Sequence, residues 1–328
     1  MDAMASGSGR GASGEELVLS NDCLRVVLLP SKGCDILSVV EQATGIDVMF
    51  KTPWSNSDIP SGVLGGDSTV NWLSQYRGGW QLLCPNAGSP REANGTTRGY
   101  HGEAALLPWR VLDHSSLEAR LAVDLFSVPV AIERRISLEG ATLRVEESLA
   151  NSSEVALDVV WMHHPAFAPP LLGQGSRLVL DASQVHVAHV RGAELPAAST
   201  SHAWPVAARE GGGEVNLETL AEAGRRASML SYLTDFGSGR ARIESPATGL
   251  DVELRWPLEI FPYAWLWYEV AGSDGFPWFR RARVLAIEPT STIPGEGEIA
   301  GHPRGTGIEL APGERRTANL ELVVSAHV

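Results

Sequence analysis

An all-β fold is predicted by three features of this 328-residue chain. Its apolar runs are short and rich in β-branched residues. They are punctuated by Gly, Pro, Asn and Asp. Helical spacing is confined to one segment, Leu217 to Gly224. Many short strands with Gly/Pro turns make a sandwich or a barrel. No linker, repeat or composition break divides the chain, so a single domain is expected over 14–328. The Gly/Ser/Ala-rich stretch 1–13 reads as a disordered tail without the apolar core of a signal peptide.

The strands follow in order. Leu17 to Ser20 leads through Asn21-Asp22 into Leu24 to Leu29, then Pro30-Ser31-Lys32-Gly33, Ile36 to Val40 and Asp47 to Phe50. Lys51 to Gly99 differs. It is rich in Gly, Pro, Ser, Asn and aromatics, and reads as a long loop of the kind that carries function. Strand patterns resume at Trp109 to Leu112, Leu117 to Phe126, Val128 to Leu138 and Ala141 to Leu149, with Glu139-Gly140 as a hairpin turn. Val155 to Met162 reads as one strand that ends or bulges at Pro165. After Leu178 to Leu180, Arg191 to Glu214 reads as a second long loop. Further strands fit Ala241 to Ile243, Leu250 to Trp256, Tyr263 to Tyr268, Val284 to Ile287 and Thr317 to Ser325.

Composition narrows the function. The net charge of −13 repels phosphate backbones and argues against nucleic acid as a partner. No apolar run approaches the length of a membrane span. Cys23, Cys34 and Cys84 are odd in number and lack CxxC spacing, so reduced thiols in a cytoplasmic protein are expected. His186, His189 and His202 have no acid cluster beside them, so no metal site is assigned.

Three short motifs carry candidate chemistry. In Trp161-Met162-His163-His164-Pro165, neighbours on a strand face opposite ways, so one histidine points inward and one outward or along the edge. A histidine fixed beside aromatic and proline walls suits proton transfer near neutral pH. It also suits a plain hydrogen bond to a backbone carbonyl. In Gly99-Tyr100-His101-Gly102-Glu103, flanking glycines let the backbone approach a ligand, although a surface turn has the same composition. In Ala286-Ile287-Glu288-Pro289, a carboxylate ends an apolar strand before a proline, where partial burial raises its pKa; a solvated strand end is the plainer alternative. Trp256, Trp265, Trp267, Tyr268 and Trp278 crowd the approach to Glu288, and aromatic walls suit sugar C–H faces.

Taken together, these motifs resemble the galactose mutarotase-like superfamily, which includes aldose 1-epimerases and hexose-6-phosphate mutarotases. The opening strands Leu24 to Val40, Gly78 to Gly88, His101-Gly102 followed by Trp109, His163-His164-Pro165-Ala166-Phe167, Leu285 to Pro289 and Leu310-Ala311-Pro312-Gly313-Glu314 all carry the likeness. The resemblance implies a β-supersandwich and anomer interconversion of a free sugar without a cofactor, with Glu288 as base and His164 as acid. It implies substrate contacts at His101 and at His163, which stands where the family has Asn. Trp267 is expected on the sugar-binding wall, Glu103 on a sugar hydroxyl, and Arg77 as the sugar-binding arginine with Arg91 and Arg98 behind it. His101-Gly102 continues as Glu103-Ala104-Ala105 where the phosphosugar branch has an arginine, so a neutral sugar is expected. A non-catalytic carbohydrate-binding sandwich is the alternative. A monomer or homodimer is expected.

Overall fold

Two large antiparallel sheets, stacked on a shared apolar core, make the fold. The computed structural model describes residues 16–57, 65–192, 194–219, 226–295 and 297–327; the expected tail at 1–13 lies outside them. The first sheet has 11 strands. In spatial order they are Leu17–Ser20, Leu24–Leu29, Asp35–Glu41, Trp80–Leu83, Met162–Phe167, Arg283–Thr290, Tyr263–Val270, Ala227–Thr234, Gln184–Arg191 and Thr200–Ala203, with Ile46–Asp47 on the third. The second sheet has 8, in the order Arg177–Leu180, Arg240–Ser245, Leu250–Arg255, Arg315–Ala326, Thr142–Asn151, Val130–Glu139, Glu118–Asp124 and Arg110–His114. This is a β-supersandwich. No helix among the described residues is long and apolar enough to cross a membrane.

The two sheets bury their residues differently. In Val130–Glu139 of the second sheet, Val130, Ile132, Ile136 and Leu138 face the core while Glu133, Arg135 and Glu139 face solvent. That alternation is what one buried face produces. The middle of the first sheet is covered on both sides. Trp80–Leu83 and Met162–Phe167 are buried throughout. One face meets the second sheet; the other is covered by the helix Ser68–Gln75 and by loops.

Several expectations are corrected here. Val155 to Met162 is not one strand. Leu157–Val159 pairs with Ile308–Leu310 in a separate two-stranded sheet, and the chain re-enters the large sheet at Met162. Nor does that strand end at Pro165. The ladder to Arg283–Thr290 opens between Met162 and Ala166, where a residue without an N–H costs little. The region read as a loop from Lys51 to Gly99 contains a helix and the strands Trp80–Leu83, Arg91–Ala93 and Thr96–Arg98. Arg191 to Glu214 contains Thr200–Ala203 and Val206–Ala208. Of the helical candidate Leu217 to Gly224, only Leu217–Thr219 is described, as a single 3-10 turn; 220–224 lie outside the described residues.

Candidate active site

One row of the first sheet forms the floor of the site. Gln81 stands opposite His164. Met162 pairs with Thr290 and Ala166 with Ala286, which sets His164 against Glu288. Glu288 then stands opposite Trp265, Trp265 opposite Tyr232, and Tyr232 opposite His186. Directly opposed residues of an antiparallel sheet share a face. These side chains therefore project together toward the helix-covered side.

The helix supplies the facing wall. Asp67 caps it by accepting from the Thr69 N–H at 2.8 Å. Thr69, Trp72, Leu73 and Tyr76 follow the i, i+3, i+4, i+7 spacing of one helical stripe, and all four line the cavity. Trp72 stacks on Tyr76 at 4.9 Å, and the Tyr76 ring meets the His164 ring edge-on at 5.5 Å. Trp267 and Trp278, 5.1 Å apart, make a second aromatic wall. The cavity between them, about 610 Å³ and open on one side, is in the range of small-molecule sites.

His101 enters from the loop Gly99-Tyr100-His101-Gly102. A Cβ on Gly102 would lie 2.5 Å from the Cys84 carbonyl oxygen, at a φ of +71, so only glycine allows this approach. His101 itself has a φ of 58, a strained geometry for a residue with a Cβ. Its Nδ1 accepts from the Gly88 N–H at 3.0 Å. The neutral ring therefore carries its hydrogen on Nε2 and acts there as a donor.

The centre of the site is His164 and Glu288. His164 Nε2 lies 3.5 Å from Glu288 Oε1, both side chains nearly fully buried. Burial raises the Glu288 carboxyl well above the ordinary carboxylate range. Burial also lowers His164 to about 4, and the Lys32 ammonium adds to the effect. His101 is pushed well below the usual imidazole range, by burial and then by its neighbour His164. Burial thus favours the uncharged form of both members of the pair, carboxylic acid and neutral imidazole.

That arrangement predicts a pH effect on stability. His164 takes up a proton near 6.5 in the unfolded chain but only near 4 in the fold. A depressed pKa stabilises the fold above the unfolded value, and the contribution is lost as pH falls toward the folded one. Acidification across this window is expected to cost about 3 kcal/mol through His164 alone. His164→Gln should flatten the slope in urea denaturation compared near pH 7 and near pH 4.5. An unchanged slope would mean the imidazole is not held neutral by burial.

The structure does not bring every expected residue to the cavity. Trp267 lines it with His101, His164 and Glu288. His163 does not, which corrects its expected contact with substrate. Alternation turns it to the core face, where Trp80 Nε1 donates to its Nδ1 at 3.1 Å and its Nε2 faces Glu147 Oε2 at 3.3 Å. Glu147 is also held by Arg134 at 2.5 Å and accepts from Trp161 Nε1 at 2.9 Å. Burial opposes its ionisation, but Arg134 and then His163 overcome it and bring the carboxyl down to about 2.

Glu103 is likewise corrected. Its Oε1 accepts from the backbone N–H groups of Phe126 and Ser127 and from the Ser127 hydroxyl, so it fastens a turn of the second sheet. Arg77 donates to the Trp54 carbonyl at 2.6 Å and lines a separate, adjoining cavity. Arg98 is spent on the carbonyls of Pro85 and Asp158, and Arg91 on Gly305 and Asp158. Trp256 packs into the intersheet core, its Nε1 donating to the Phe261 carbonyl.

Sequence reasoning missed Trp72 and Tyr76, one on a helix of only eight residues and the other capping its C-terminus. It also missed Tyr232, on a strand with no clear alternation, and Arg304. The spacing of Thr69, Trp72, Leu73 and Tyr76 was the available signal for the first two; Arg304, in a Gly/Pro-rich turn, had none.

The fold is one shared with galactose mutarotase-like sandwiches. Solved structures that share the architecture include these three. The Slr1438 protein from Synechocystis sp. PCC 6803 aligns with a TM-score of 0.70 at 19% identity, over 98% of this chain and 100% of its own. A galactose mutarotase-like protein from Clostridium acetobutylicum aligns at 0.65 and 14%, over 94% of each chain. A galactose mutarotase related enzyme from Lactobacillus acidophilus aligns at 0.62 and 15%, over 96% and 98%. The chain belongs to the family described as a domain of unknown function, DUF4432, which it matches over residues 12–324. No curated protein matches it in sequence.

Proposed function

We propose that this protein is an aldose 1-epimerase-like enzyme that interconverts the anomers of a free sugar, with Glu288 and His164 as its proton-transfer pair. The observation that carries this reading is the 3.5 Å approach of His164 Nε2 and Glu288 Oε1 on the floor of an aromatic cavity. Two groups so close reach two oxygens on the same carbon, as the anomeric hydroxyl and ring oxygen of a cyclic sugar are.

The pair holds one mobile proton. With it on His164, Glu288 takes the proton of the anomeric hydroxyl while Nε2–H protonates the ring oxygen. The bond from the anomeric carbon to the ring oxygen breaks, and the anomeric carbon becomes a carbonyl. Rotation about the adjoining C–C bond presents its other face. The ring closes with the two proton transfers reversed, and the pair regains its starting state. His101 Nε2–H donates to a sugar oxygen and fixes the ring. Trp267 and Trp278 offer faces to sugar C–H groups.

Saturation-transfer NMR between the α and β resonances of unlabelled sugars tests the reading. Exchange above the buffer-catalysed rate for at least one aldose or aldose derivative is expected. Binding without exchange would overturn it in favour of a non-catalytic carbohydrate-binding sandwich.

A further inference from the structure

We propose that Arg304 sets the substrate class of this cavity by pairing with a carboxylate on the sugar, so that a sugar acid such as a uronate is preferred over the neutral aldose. The inference rests on the sugar-binding reading above and adds a charge requirement to it.

Arg304 is the only arginine or lysine lining the cavity among the described residues. Its Nε donates to the Pro294 carbonyl at 2.8 Å, and neither terminal nitrogen has a hydrogen-bond or ion-pair partner among them. The backbone beneath is built to hold it. The Arg304 N–H donates to the Gly297 carbonyl at 2.8 Å, and the Gly305 N–H to the Ile293 carbonyl at 2.7 Å. The guanidinium lies so close over Gly295 that a Cβ there would sit 2.9 Å from it. A half-buried guanidinium held by one edge, with its other donors open to a cavity, matches the geometry of a bidentate carboxylate.

The rest of the cavity leaves this cation uncompensated. Glu288 is the only carboxylate in the lining among the described residues, and burial favours its uncharged form. The two inner histidines are neutral for the same reason. The position also fits. Tyr232 lines the same cavity as Arg304 and Glu288. It stands two strands from Glu288 along the row, about 10 Å at the usual interstrand spacing. A ring-form sugar with its anomeric end at Glu288 presents its far substituent toward Arg304. A phosphate dianion fits less well, since no second arginine or lysine lines the cavity among the described residues and the protein carries −13.

The test separates this inference from the catalytic reading by measuring binding and exchange independently. Calorimetry compares galacturonate with galactose, glucuronate with glucose, and the two hexose 6-phosphates, on wild type and on Arg304→Met and Arg304→Lys. Folding of each variant is checked by thermal denaturation. At least one uronate is expected to bind wild type roughly tenfold or more tighter than its parent aldose, as a charge-assisted pair provides. The ratio should fall toward one in Arg304→Met and be partly kept in Arg304→Lys. A wild-type ratio near one for both uronates, a preference that survives Arg304→Met, or tighter binding of a 6-phosphate than of the matching uronate each overturns the assignment. A preference lost with Arg304, in a protein that exchanges no sugar, upholds the charge assignment and removes the enzymatic reading. Fast exchange of neutral sugars without that preference does the reverse.

Discussion

Glu288→Gln is expected to fold at least as well as wild type and to lose anomer exchange by roughly 10²–10⁴-fold, the usual contribution of one general acid–base group. Glutamine keeps the size and hydrogen-bonding capacity of the carboxyl group but cannot give up or take a proton. The stability expectation follows from the same burial. A carboxyl whose pKa is raised in the fold destabilises it wherever the unfolded chain ionises, above about 4.5. Removing the titration removes that cost, so the variant's advantage in urea should grow with pH. Exchange rates by saturation transfer and urea midpoints check both halves. Near-wild-type exchange in a folded variant would sink the proposed role of Glu288.

Arg134→Met should be the most damaging change to stability, at about 3–5 kcal/mol, because it leaves Glu147 buried without its principal partner. Arg134 and Glu147 are both essentially inaccessible to solvent, 2.5 Å apart, and tie the second sheet to the strand that carries His163 and His164. Arg134 also donates to the Cys34 carbonyl at 2.9 Å, across to the first sheet. Glu147→Leu on the same background should recover most of the loss, since a buried ion pair replaced whole by apolar groups is often close to neutral. Urea denaturation of the single and double variants measures it. A single-variant loss under ~1 kcal/mol, the range of an exposed pair, would show that the network is not holding the sheets together.

Those two side chains also show what a sequence conceals. Val130–Glu139 advertises itself through alternation, because one of its faces is wet. Arg134 breaks the pattern, and nothing local says whether it faces a partner or water. The outer strands and the Glu139-Gly140 hairpin were legible for the same reason. Gln184–Arg191 and Ala227–Thr234 were not, since a residue such as His186 finds its partners, Ser201 and Thr234, only across the sheet. At the site, the adjacency of His163 and His164 and the two-residue period of a strand were enough to separate their faces. The period cannot say which face is cavity and which is core, or that His163 meets Glu147. Glu103 and Arg77 were placed by proximity to motifs in sequence, and tertiary bonds claimed both for structural work.

The row from Gln81 through His164, Glu288, Trp265 and Tyr232 to His186 has the character of a ruler. Positions along it are separated by the spacing between strands, about 4.8 Å, and not by any freely adjustable length. A functional group can move along it only in whole steps, by exchange of side chains between neighbouring strands. Adjacent marks set two groups a single sugar carbon apart; marks two strands apart span a ring. On the proposed function, pairing register, which also keeps the core apolar, divides the floor into a reactive end and a recognition end before any individual side chain is chosen.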